Sequence, residues 1–254
     1  KLILLNKGYT ITMQEKSVSQ AIDFRRSVRV YNPEKQIDVN KVKKCIEQAH
    51  LAPSSSNMQL WEFHHIVSKK KKKEIAISCF NQPAAKTAEQ FLIVVVRRDL
   101  WKKRLNSNLN NIKTSLSKIK NLDPVKREKA LYYYEKLVPM IYSDFYGIKG
   151  VFKKLYVKTI SLFKPMYQEV GNSDVRVIVH KSAALAAQTF MISMAGIGYD
   201  ICPMEGFDSN RIKKNLNIPS KTEISMVIGC GIRKNEGVYG KRFRIPNDET
   251  YRIH

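Results

Sequence analysis

Arg25-Arg26-Ser27-Val28-Arg29 sits where an N-terminal helix gives way to a turn, and Ala52-Pro53-Ser54-Ser55-Ser56-Asn57-Met58-Gln59-Leu60-Trp61 lies between a second helix and a strand. Fixed guanidinium charge beside a short hydroxyl is the chemistry that grips a phosphate. Small hydroxyl residues and an amide can hydrogen-bond a flat polar heterocycle without filling its space. Another basic run, Lys241-Arg242-Phe243-Arg244-Ile245-Pro246, lies near the other end of the chain. One such cluster is ordinarily a solubilising surface. Two of them, interleaved with apolar anchors and bracketing one core, can converge on a single phosphate, although spacing does not show that they do.

Working outward, Ser17-Val18-Ser19-Gln20 has the form of a capping box and opens a helix ending near Arg26. Asn32-Pro33 forces a turn. Val39, Val42, Cys45, Ile46 and Ala49 recur at helical spacing, so Asp38 to Leu51 is a second helix stopped by Pro53. Trp61 to Val67 reads as a strand, and Lys69 to Lys73 begins a polar helix or turn. The continuous run Phe91-Leu92-Ile93-Val94-Val95-Val96 marks a strand covered on both faces. Ile224 to Ile232 is a second central strand, and Lys181 to Ala195, apolar almost all round, is a buried helix ended by Gly196 and Gly198.

Leu100 to about Met166 differs in composition, being helix-forming and rich in lysine and tyrosine. Asp123-Pro124 is an N-cap followed by a helix-start proline, opening a helix toward Pro139. Phe152, Leu155, Thr159 and Phe163 make one stripe with Lys153, Lys154 and Lys158 among them. Such a stripe either packs on its own protein or lies on a membrane surface.

The chain of 254 residues is expected to form one domain, 1–254, with a helical insertion at about 100–166. No apolar run approaches the ~20 residues that span a bilayer. Lys1-Leu2-Ile3-Leu4-Leu5-Asn6 is too short for a signal segment. Cys45, Cys79, Cys202 and Cys230 lie far apart with no CxxC pair, which suits buried free thiols in a reducing cytoplasm. His64 and His65 are adjacent in a strand and point to opposite faces, so they cannot share a metal ion. A net charge of +23 steers anionic ligands toward the surface. It fits a solvated lysine-rich surface, or a nucleic-acid or anionic-membrane partner. Gly229-Cys230-Gly231 begins like a dinucleotide fingerprint, but Lys234 stands at the third glycine; no Walker A or GxSxG motif occurs.

These motifs resemble the nitroreductase family, over roughly Ser17 to Arg98 and Val170 to Pro246. The resemblance implies that Arg25, Ser27, Arg242 and Arg244 hold the phosphate of FMN. Arg26 touches the flavin edge, and Arg29 places a positive charge beside the pyrimidine end of the ring, where negative charge gathers on reduction. Pro53, Ser54, Ser55 and Asn57 match the family's P-S-S-x-N-x-Q turn, which reaches the flavin of the neighbouring subunit, with Leu60 in place of the usual proline. Asn81 matches another flavin-facing position. Gly196 to Phe207 resembles the G-x-G … P-x-x-G-[FY] segment, so Pro203, Met204, Glu205 and Gly206 lie flat against the ring, with main-chain N–H groups aimed at its N5 atom.

The resemblance also implies an α+β fold, a mixed and mainly antiparallel sheet flanked by helices, in an intertwined homodimer. FMN would carry hydride from NADH or NADPH to an electron-poor small molecule such as a nitroaromatic or quinone, with no side-chain general acid required. The insertion would sit beside the active-site mouth. Alternatives are a flavin-dependent dehalogenase-like relative, a flavin-holding protein with little turnover, and a basic scaffold for nucleic acid or membrane.

Overall fold

A computed structural model of the chain describes residues 15–121, 123–143 and 148–254, without the side chains of residues 148–151 and 153. The opening Lys1 to Asn6 lies outside the described residues. Four strands form one sheet in the order β1-β2-β4-β3: β1 (Trp61–Ile66), β2 (Gln90–Val96), β3 (Asp200–Met204) and β4 (Glu223–Gly231). Every pairing within it is antiparallel. A parallel bridge from Ser27 to Ile201 supplies the mixed character.

The apolar run of β2 is explained by its two faces. Leu92, Val94 and Val96 enter one hydrophobic cluster, and Phe91, Ile93 and Val95 enter the other. Side chains alternate along a strand, so a strand with a core on each side is apolar along its length, and the polar Gln90 at its start is buried with partners, its amide on the Ile37 carbonyl. The first cluster is covered by α2 (Val39–Ala49) and the long α9 (Asn172–Gly196); α3 (Lys69–Ser78) and α4 (Pro83–Thr87) cover the second.

Local chemistry sets the ends. The Ser17/Gln20 capping box opens α1 (Val18–Phe24), and the Asp38 carboxylate accepts from the N–H groups of Asn40 and Lys41 at the start of α2. α9 stops where Gly198 turns left-handed at φ 80°. It begins nine residues before its expected start and is not buried on every side, since Val177 and Leu185 are half exposed. By length and hydropathy α9 is also a candidate membrane span, which corrects the expectation that nothing in the chain approaches one. Its packing on the sheet makes it the central core helix. The segment Asp200–Met204, read from sequence only as a ring-facing loop, is an edge strand.

The lysine- and tyrosine-rich segment forms α5 (Trp101–Ser117), α6 (Pro124–Tyr132), α7 (Val138–Tyr142) and α8 (Ile148–Ile160). Between α6 and α7 the helix widens into a π-type turn over Tyr133–Leu137. The widening falls just before Pro139, which has no N–H to donate back to the preceding turn. Leu105, Val138 and Tyr142 join the same cluster as Met58, Leu60 and Trp61, so this segment shares the main core. Two short helices, α10 (Ser209–Asn215) and α11 (Asn247–Thr250), complete the chain.

Candidate active site

The two basic runs meet. Arg25, Arg26, Ser27 and Arg29 line one cavity of about 290 Å³ with Lys241, Arg242 and Arg244. Among the described residues, no carboxylate lines it. The guanidinium of Arg242 reaches back to the end of α1, donating from Nη2 to the carbonyls of Asp23 at 2.7 Å and Arg25 at 2.9 Å. Arg233 donates to the Phe24 carbonyl at 3.0 Å and lies 4.4 Å over the Phe24 ring. Helix C-terminal carbonyls lack intrahelical partners and carry partial negative charge, so α1, with no basic residue in its own last turn, is capped by arginines from the far end of the chain.

Arg233 is itself fixed by Asp200, which is 3% exposed and accepts from the Arg233 backbone N–H at 2.7 Å and Nε at 2.8 Å. Arg26 donates to the Gly240 carbonyl at 3.0 Å. The Arg29 N–H donates to the Gly237 carbonyl at 2.6 Å, an approach that demands glycine, because a Cβ there would lie 2.3 Å from the Val30 carbonyl. Among the described residues, the Arg25 guanidinium has no hydrogen-bond or ion-pair partner. Partial burial and then the like charges of Arg242, Arg244 and Arg26 push its pKa below the ordinary guanidinium value. A partly buried cluster of one sign, with an uncommitted guanidinium and a hydroxyl, fits a phosphomonoester.

The same corner touches the sheet edge. Val28 N–H donates to the Ile201 carbonyl at 3.0 Å, and Arg29 Nη1 lies 3.5 Å from the Cys202 sulfur. Arg29 therefore stands beside the strand that carries Pro203 and Met204 toward Glu205 and Gly206. Gly206 is held from the other side: Gln82 Nε2 donates to its carbonyl at 3.0 Å. Asn81, preferred from sequence, is left-handed at φ 51° and ends α3 with its N–H on the Ala76 carbonyl. The side chain that reaches Gly206 is that of Gln82. Glu205 lines a separate cavity with Arg176, His180 and Phe207.

Pro53, Ser54, Ser55 and Asn57 lie elsewhere. Ser56, Asn57 and Gln59 are all left-handed, at φ 51°, 49° and 47°. Non-glycine residues visit that region at a cost of the order of 1 kcal/mol each. The turn is held by its surroundings: Ser54 Oγ accepts from the Gln59 N–H at 3.0 Å, and Asn57 donates to Asn108 Oδ1 at 2.9 Å. Tyr134 donates to the Ser56 carbonyl at 3.1 Å, and Ser182 Oγ accepts from the Ser55 N–H at 3.3 Å. Ser55 and Ser56 open onto a largely apolar cavity of about 430 Å³ with Tyr133, Met140, Tyr142 and Val157. This cavity and the arginine cavity share no lining residue.

Sequence reasoning missed Asp200, Arg233 and Gly237. Asp200 in an otherwise apolar stretch was a usable signal, since a lone carboxylate there needs a cation. Arg233 and Gly237 carried none, because their roles depend on long-range closure.

Comparison with known proteins agrees with this geometry. The sequence profile of the nitroreductase family matches residues 22–232. Protein DrgA of Synechocystis is 28% identical over 222 residues, covering 87% of this chain and 86% of that protein. A structure from Exiguobacterium sibiricum, assigned to the nitroreductases and solved in complex with FMN, superposes with a TM-score of 0.66 at 20% identity, covering 95% of this chain and 99% of the other. A Staphylococcus epidermidis structure assigned as an NAD(P)H:FMN oxidoreductase superposes at 0.69 with 19% identity, covering 95% and 97%. The fold is that of these structures, and the chain belongs to the nitroreductase family.

Proposed function

We propose that this protein is an FMN-dependent oxidoreductase that takes hydride from NADH or NADPH and reduces electron-poor acceptors such as nitroaromatics or quinones. The observation that carries the reading is the convergence of Arg25, Ser27, Arg242 and Arg244 on one carboxylate-free cavity beside β3. When bound, FMN supplies the two-electron carrier, and the protein's part is holding and tuning. Arg25 and Ser27 grip the phosphate with Arg244, while Arg242, half committed to α1, fixes the wall behind it. Arg26 lies along the flavin edge. Arg29 contributes a fixed positive charge next to the ring. Pro203, Met204, Glu205 and Gly206 present main chain to the ring, with the Gly206 peptide oriented by Gln82; Asn81 contacts the same end.

The working unit is a homodimer. The turn of Pro53, Ser54, Ser55 and Asn57 borders, through Ser55, a cavity that shares no lining residue with the arginine corner, so one flavin meets both sets when a second copy brings its turn across. Val18, Ile22, Val177 and Leu185, exposed on α1 and α9, supply apolar surface for that contact. All four cysteines are free and buried, which suits a reducing cytoplasm.

The visible spectrum of the purified protein, repeated anaerobically with NADH and NADPH, tests cofactor and reaction class together. Yellow absorbance that bleaches on addition is expected. A colourless preparation that FMN does not restore sinks the reading.

A further inference from the structure

Among the described residues, nothing covers the stripe on α8. Phe152, Leu155, Tyr156, Leu162 and Phe163 are 69, 63, 64, 78 and 84% exposed. At 100° per residue these side chains, with Thr159, fall within about a third of the helix circumference. The turn after α8 keeps them in line, since Ser161 N–H donates to the Val157 carbonyl at 2.8 Å and Lys164 N–H to the Ile160 carbonyl at 3.2 Å. Val157, 6% exposed, lies on the opposite face and lines the apolar cavity beneath. The helix thus has an inward apolar contact that is satisfied and an outward apolar stripe that is not.

Charge identifies the occupant. Residues 148–164 contain five lysines and no aspartate or glutamate. The wider segment 100–166 carries 15 Lys and Arg against 4 Asp and Glu, so nearly half of the chain's +23 is concentrated there. A second copy laid on the stripe would oppose two lysine-rich faces, and like charges across an interface disfavour it. An anionic bilayer surface accepts aromatic and leucine side chains into its acyl boundary while its headgroups draw in the lysines. We propose that α8 and the turn to Lys164 dock this protein on anionic membrane surfaces, lying in the plane of the interface. This surface is separate from the arginine corner, and the proposal does not depend on the flavin reading.

Flotation of the full chain with vesicles of phosphatidylcholine alone, and of phosphatidylcholine mixed with phosphatidylglycerol, tests it. Binding to the mixed vesicles only, weakening as salt rises, is expected. Phe152→Ser and Phe163→Ser each lower the vesicle partition coefficient by about tenfold, and Lys158→Glu with Lys164→Glu lowers it further. As a second readout, Phe163→Trp emission shifts to the blue with mixed vesicles and not with neutral ones. Three results with vesicles overturn the proposal. These are absence of binding, binding indifferent to Phe163→Ser and to the charge reversals, and a change of oligomeric state in Phe163→Ser while vesicle binding is unchanged. Should the serine variants misfold by circular dichroism, the tryptophan shift and the charge reversals decide alone. RNA binding that depends on the lysines but not on Phe163, with no blue shift on vesicles, also overturns it.

Discussion

The arginine corner and the tyrosine-lined cavity are sites of comparable size and opposite chemistry. The first, about 290 Å³, is walled mainly by cations, with no carboxylate among its described lining residues. The second, about 430 Å³, is walled by Met140, Ile141 and Val157, with Ser55, Tyr133 and Tyr142 as its polar points. The corner is assembled from the two ends of the described chain and fixed by hydrogen bonds to backbone. The cavity is assembled from one contiguous helical segment folded over the Ser54–Asn57 turn. A site pinned to backbone carbonyls tolerates little, because Arg26 and Arg242 hold peptide carbonyls at the Gly240 turn and the end of α1. A site walled by flexible apolar side chains can be reshaped while the fold persists. The corner is therefore the place for an invariant ligand and the cavity the place for a variable one.

The sharpest break between the two is in cofactor affinity. Arg25→Ala removes a charge-assisted contact of ~1.5–3 kcal/mol, so the FMN Kd rises about ten- to a hundredfold. Combining it with Arg242→Ala should raise it about a thousandfold, since Arg242 also holds the end of α1. Quenching of FMN fluorescence on titration measures this. If Tyr142→Phe weakens FMN as much as Arg25→Ala does, the division between the sites is wrong.

Next in size are the supports of the corner. Asp200→Asn leaves Arg233 facing a neutral amide at a site where the aspartate is 3% exposed. Because Arg233 is partly solvated, a loss of ~3 kcal/mol is expected, at the low end for a broken buried pair. Gly237→Ala, which must push the Val30 carbonyl away, should cost about 2 kcal/mol. Urea unfolding reads both. A midpoint unmoved by Asp200→Asn would mean that the C-terminal arm is not what holds α1.

How much of this was readable in the sequence depends on the range over which each feature is determined. The capping box, the helix from Asp38, β1, β2 and β4 depend on a few neighbouring residues, and the structure has them within a residue or two of where patterning puts them. The motif residues Arg25, Ser27, Arg242 and Arg244 were legible as chemistry, while their meeting was carried by resemblance alone. β3 was hidden because its five residues include a proline, tolerable only because the strand lies at the sheet edge. The stripe of α8 was visible as a period, yet no local pattern tells whether a stripe faces a core or solvent. Of the adjacent pair Asn81-Gln82 the sequence favours Asn81, and only the fold puts the Gln82 amide against Gly206.

Changes to the cavity should be smaller and confined to the acceptor. Burial, and then the charges of Tyr167 and Tyr133, raise the Tyr142 phenol above its ordinary value, while a Ser55 hydrogen bond opposes the shift. The phenol is therefore a neutral hydroxyl in the physiological range. Tyr142→Phe and Tyr133→Phe remove hydrogen bonds of ~1 kcal/mol each, so the acceptor KM should move about fivefold with FMN affinity unchanged. Steady-state kinetics with a quinone acceptor, alongside the FMN titration, separates the two.

The smallest effect lies on the seam between the regions. Glu223, the first residue of β4, accepts from Arg176 and His180 of α9 and pairs with Arg98 at the start of the helical segment, 3.7 Å away. Burial alone would push its carboxyl up, but the hydrogen bonds and charges of Arg176 and His180 outweigh that and hold it below the ordinary 4.5. A depressed carboxylate stabilises the fold fully above its unfolded value and loses that contribution as pH falls through the folded one. Glu223→Gln should therefore lower unfolding stability by ~0.5–1 kcal/mol at neutral pH, a surface-scale figure because the group is partly solvated. The difference between variant and parent should shrink toward zero at an acid pH below the lowered folded value, where the parent carboxyl is protonated as well. Urea unfolding of both at the two pH values checks it. A gap that persists or widens in acid would mean that Glu223 acts through packing, and that charge does not join the helical segment to the sheet.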